Sequence, residues 1–217
     1  MPGSGQWPFQ VAIASLLAGS MPLGLSTPLV AKTLRAGPFT FSDERGGFEI
    51  LSVSGQGTEK DPVVLTERIF GTEPVTLVIR ADATGADDGT VHFAGMFAFA
   101  MVKIVINDTP SSWTGFSLEL QEVAGRPSGY FDGLSFDQVA QFRERLATSD
   151  RFADIGVEQE PRDRINFHSG SVTRHDRVAL DFNITDMTPR REFYLIQDPE
   201  VATVMRASPR FAARTDR

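Results

Sequence analysis

The chain has no cysteine. Disulfides, thiolate zinc sites and a lipid-bearing thiol at an export junction are therefore excluded. Charge is missing from residues 1–31, and the first charged side chain is Lys32. Residues 11–18 form an apolar heart within that stretch, followed by small residues, Pro22, Gly24 and Pro28. This layout is expected of a signal peptide over residues 1–36, cut after Ala31 or, by preference, after Ala36, where residues 37–41 already read as a strand. An uncleaved anchor is the alternative, but the prolines and glycine spoil the second half of the run. No second apolar run is long and clean enough to span a bilayer as a helix. The expected location is periplasmic or extracellular, with no membrane span after cleavage.

Lysine is scarce as well. Loss of Lys32 and Arg35 with the leader leaves Lys60 and Lys103 and takes the formal charge from −7 to about −9. An acidic surface disfavours nucleic acid and anionic lipid as partners. Residues 206–217 carry four arginines and read as a basic, flexible tail. The remaining span, residues 37–205, suffices for one domain, and no linker divides it.

Period-2 alternation is the dominant pattern. Val178, Leu180, Phe182 and Ile184 alternate with Ala179, Asp181 and Asn183, and residues 75–80 and 116–121 repeat the arrangement. Successive strand side chains point to opposite faces, so such segments have one buried and one wet face. Further strands are expected near residues 48–53, 63–70, 164–167 and 192–196. In residues 92–106, Phe93, Phe97, Phe99 and Met101 share one parity, while Val102, Ile104 and Ile106 share the other. The buried face is expected to switch near Met101 or Lys103, through a bulge or a bend. Dense turn signals separate the strands. The expected fold class is all-β: a mainly antiparallel β-sandwich of about nine strands. One short helix is predicted near residues 136–147, with Ser135 as N-cap, Gln138 closing a capping box, and Val139, Phe142 and Leu146 on one face.

Asn107-Asp108-Thr109, then Trp113-Thr114-Gly115-Phe116, then Leu118-Glu119-Leu120, resembles exported bacterial β-sandwich proteins of the PEP-CTERM type. In those proteins a strand ending in Asn leads through a polar turn to Trp-x-x-Phe. Residues 55–62 look like a Gly-x-Gly-Thr-x-x-Asp-Pro turn of secreted β proteins. The chain departs from that pattern at its C-terminus, which has no Pro-Glu-Pro motif and no apolar helix before the final basic residues. The resemblance implies a fold and a compartment, not a chemistry.

No motif for catalysis stands out. There is no His-x-x-x-His pair, no Gly-x-Ser-x-Gly elbow, no phosphate-binding loop and no dinucleotide fingerprint. His168, His175, Ser169 and Asp176 are the letters from which a hydrolase site or a histidine metal site would have to be drawn. Asp82, Asp87 and Asp88 lie in a Gly-rich acidic loop that offers oxygen ligands to calcium, without the glutamate an EF-hand needs at its twelfth position. Asp132 and Asp137, and Asp181 and Asp186, are fainter candidates. Trp113, at a strand start, reads first as a packing anchor and second as a ligand-binding platform. The functional expectation is an exported, non-catalytic protein that binds, adheres or supports, with a protein or glycan partner outside the cytoplasm. A calcium-stabilised carbohydrate-binding module is the alternative, and a hydrolase on the same sandwich is the third reading.

Overall fold

Alternating side chains draw the chain into two packed sheets, as the sequence pattern implies. The structure, a computed structural model, describes residues 30–81, 96–136 and 146–202. Among them are thirteen strands: β1 (Thr33–Ala36), β2 (Phe39–Ser42), β3 (Phe48–Ser54), β4 (Val63–Ile69), β5 (Val75–Ala81), β6 (Phe97–Asn107), β7 (Trp113–Gln121), β8 (Leu134–Phe136), β9 (Ala147–Ser149), β10 (Phe152–Glu158), β11 (Arg164–Gly170), β12 (Arg177–Asp186) and β13 (Glu192–Val201). One sheet has seven strands in the order β1-β2-β5-β13-β7-β11-β10. The other runs β3-β4-β6-β12-β8, with β9 also paired to β12. The all-β sandwich is thus observed, with more strands than the sequence pattern suggested and several of them longer than expected. All strand pairs are antiparallel except β4 and β6. The chain leaves β4 for β5 in the opposite sheet and returns as β6, which places β4 and β6 side by side in the same direction.

Phenylalanines from both sheets meet between the layers. Phe39 lies 4.2 Å, centroid to centroid, from Phe99, and Phe97 lies 6.0 Å from Phe193. Phe136 stands edge-on to Phe182 at 5.7 Å. Such tilted and edge-on pairs add to the area term of burial.

Two sequence expectations need correction. The buried face of β6 does not switch. Phe97, Phe99, Met101, Lys103, Val105 and Asn107 all point inward, and β6 pairs with β12 without a register slip. Lys103 was placed outside because lysine is seldom fully buried; here it is buried against Glu67 of β4. Register slips lie elsewhere: one in β3 between Ile50 and Ser52, and one where the pairing of β7 with β13 slips between Glu200 and Val201 and lets both Trp113 and Phe116 enter the core. Secondly, Ser135 caps no helix. It lies within β8, fully buried and paired with Thr185 of β12. The cap signature acts over four residues, and pairing with a central strand overrides it. The predicted helix otherwise falls on residues 137–145, outside the described residues, and Ala147 already begins β9. Among the described residues the only helical piece is a 3-10 turn, Tyr130–Asp132. At the edge of the seven-stranded sheet, Thr33–Ala36 pairs with β2 in a hairpin.

The turn from β6 to β7 is held by one side chain. Asn107 is fully buried. Its Nδ2 donates to the carbonyls of Ser111 (2.9 Å) and Val172 (2.8 Å), and its Oδ1 accepts from the Thr109 amide (2.9 Å) and hydroxyl (2.7 Å). Four bonds saturate the amide, which is the physical content of the Asn-to-Trp motif in this chain. Asn107→Ala strands these partners in a dry turn and should lower stability by about 3 kcal/mol, read as a lower midpoint in urea with an unchanged slope.

Candidate binding groove

The site follows from the outward positions of three neighbouring strands. In β7, Leu118 and Leu120 face the core, so Ser117, Glu119 and Gln121 face away. The same alternation turns Ile196 and Asp198 outward in β13, and Arg164 and Asn166 outward in β11. Register then sets the rows. Asp198, Ser117 and Asn166 lie side by side, and Ile196, Glu119 and Arg164 form the next row. Pro74, Gly125, Pro127 and Arg162 wall the rows into a groove of about 280 Å³, floored by Ser117, Glu119, Gln121, Arg164, Ile196 and Asp198. A second hollow of about 380 Å³ lies across Pro127, lined by Glu122, Arg126, Asp132 and Arg190.

The groove is braced from within. The Arg164 guanidinium donates through Nε to Asn166 Oδ1 (2.9 Å) and through Nη2 to Asp198 Oδ2 (3.2 Å) and the Ser117 hydroxyl. Gln121 Nε2 donates to Glu119 Oε1 (2.7 Å), and Gln121 Oε1 accepts from the Gly125 amide (2.8 Å), which ties the wall to the floor. Arg162 reaches the other oxygen of Glu119 at 3.6 Å. Further along the same face, Gly115 leaves room for Glu200: a Cβ there would lie 2.6 Å from its carboxylate, which pairs with His168 at 3.7 Å. Ser117, Glu119 and Gln121 are buried, Arg164 and Asp198 are partly exposed, and their mutual hydrogen bonds present a ligand with a prearranged array of donors and acceptors.

The sequence candidates lie elsewhere. Asp82, Asp87 and Asp88 fall outside the described residues, as does Asp137. Trp113 is fully buried and packs on Phe116 at 5.5 Å, which leaves no ring face for stacking a ligand; its anchoring role is the one seen. His168 and His175 engage different carboxylates, Glu200 and Asp108. The Ser169 hydroxyl donates to Asp154, and Asp176 accepts from Thr173 at 2.5 Å, so these letters assemble no triad. Asp132 and Asp186 serve turns: Asp132 accepts from the Leu134 amide, and Asp186 from the amides of Thr188 and Arg190. No cluster of three metal-ligating side chains occurs among the described residues. No protein-family model, curated protein or solved structure matches the chain.

Asp163 immediately precedes β11, and its amide donates to the Ser128 carbonyl. Its Oδ2 accepts from the Phe136 amide (2.9 Å), while Oδ1 is buried without a partner. Loss of hydration pushes its carboxyl up to about 7. The fold therefore holds one proton more than the unfolded chain between about pH 4 and 7. The stability that this proton confers is present below that window and is lost as pH rises through it. Asp163→Asn keeps the acceptor for Phe136 and removes the titration. Its stability should be flatter between pH 4 and 7, and at pH 8 it should exceed that of the wild type by up to roughly 4 kcal/mol. Chemical denaturation across pH checks this.

Proposed function

We propose that the protein is an exported binding module whose working surface is the groove on the outer face of the seven-stranded sheet. The observation that carries this reading is the cross-braced array of Ser117, Glu119, Gln121, Arg164 and Asp198, held rigid under a wall tied to its own floor. Such an array suits a ligand rich in hydroxyls, and a glycan outside the cytoplasm is the partner that matches it. Both carboxylates already carry arginine partners, Glu119 through Arg162 and Asp198 through Arg164. That arrangement supports holding a ligand by hydrogen bonds. The hydrolase reading draws on the same two carboxylates, which sit diagonally on adjacent strands.

Export rests on the uncharged leader, and the fold supports cleavage after Ala31. The Lys32 amide nitrogen donates to Asp43 Oδ1 at 2.6 Å, and Asp43, almost fully buried, also accepts from the Ile50 amide. A cut between Ala31 and Lys32 would keep β1 and place a new terminal ammonium on that carboxylate, a stronger bond than the neutral one. Terminal sequencing of protein exported from cells should begin at Lys32. A start at Gly37 would mean that β1 is discarded.

The binding reading is tested on a glycan array with wild type, Glu119→Ala and Arg164→Ala. Retention on a defined set of glycans, reduced at least tenfold in both variants while the thermal midpoints stay high, is the expected outcome. Cleavage of an array glycan would favour the hydrolase. Glycan binding that survives both substitutions would remove the groove from the account.

A further inference from the structure

Lys103, Glu67 and Gln197 meet between the sheets, where none of the three has measurable exposure. Lys103 comes from β6, Glu67 from β4 alongside it, and Gln197 from β13 in the facing sheet. Glu67 Oε2 is the meeting point: it lies 2.5 Å from Lys103 Nζ and 3.4 Å from Gln197 Nε2. The remaining oxygens, Glu67 Oε1 and Gln197 Oε1, are buried without partners. A plain ion pair requires no third group from the other sheet. An amine and a primary amide brought to the same buried carboxyl oxygen are, with that carboxyl, the three components of an amide exchange.

We propose that this trio forms an internal isopeptide bond, in which Lys103 Nζ becomes joined to Gln197 Cδ with Glu67 as the proton carrier. Nζ of the neutral amine adds to Cδ, and the Cδ–Nε2 bond breaks. One proton passes from Nζ to the departing nitrogen through the Glu67 carboxyl, which ends as it began. The products are a Lys103–Gln197 amide and one ammonia, with no oxidant or co-reactant. Burial favours the required forms, since loss of hydration pushes the Lys103 amine down and the Glu67 carboxyl up. A desolvated lysine is a competent nucleophile. A carboxyl touching both the attacking and the departing nitrogen is placed for general acid–base transfer. Exclusion of water protects the site from hydrolysis of the amide. The bond would clamp β6 to β13 across the sandwich in a chain that has no cysteine for a disulfide. Like a disulfide, it would restrict the unfolded chain.

Mass spectrometry of the purified wild-type chain decides the matter, independently of the groove. The expected result is a protein lighter than its sequence by one ammonia. Its tryptic digest should contain a branched peptide joining Lys103 to Gln197, with no cut after Lys103. Glu67→Gln should have the full mass of its own sequence and no branched peptide. A wild-type chain at full sequence mass, or a branch at Glu67 with loss of water, overturns the proposal. A Glu67→Gln protein that still carries the branch overturns the role given to Glu67. If Glu67→Gln fails to fold, the wild-type digest is sufficient by itself.

Discussion

An amine and a carboxyl group in a dry apolar layer depend on each other for their closest polar contact, with only the Gln197 amide beside them. That constraint fixes the centre of this molecule. Lys103 and Glu67 lie on β6 and β4, the one parallel pair, and each faces inward among leucines, valines and phenylalanines. A slip of one residue in either strand would turn its polar group outward and break the contact, because strand side chains alternate between faces. The pair therefore specifies register at the point where the chain returns from the opposite sheet. Removal of one partner alone would leave an unmatched buried polar group, a far larger penalty than removing both.

Register at the centre propagates outward. β6 fixes β12 over ten consecutive residue pairs, and β12 in turn receives the short strands β8 and β9. In the facing sheet, β13 lies between β5 and β7 and carries alternate residues to two destinations: Phe193, Leu195 and Gln197 to the core, Ile196 and Asp198 to the groove. Core and groove are thus opposite faces of the same strands. The groove needs no loop to position its floor, only its wall.

Much of the fold was legible because the strands with one wet face alternate cleanly. Residues 75–80, 116–121 and 178–184 are strands with the inward positions that their patterns imply. β6 was misread at Lys103, since its partner is 36 positions away in the sequence and alternation alone cannot tell a neutralised lysine from a solvated one. β10 escaped notice because it is an edge strand whose Ile155 and Val157 are exposed, leaving no buried stripe to detect. β8 and β9 are three residues each, too short for a period. The groove was invisible for another reason. Glu119, Arg164 and Asp198 were readable as wet-face residues, but nothing local announces that β11, β7 and β13 are neighbours. The histidines and the acidic loops attracted attention by residue type, whereas the groove is built from ordinary polar residues given meaning by adjacency.

The strand order also carries a consequence for the timing of folding. β13, the last of the described strands in sequence, is the fourth of seven in its sheet, with β1, β2 and β5 on one side and β7, β11 and β10 on the other. Until it is in place, those two groups have no common hydrogen-bonding edge. The seven-stranded sheet therefore becomes continuous only once β13 has joined β5 to β7, however early the outer strands have paired.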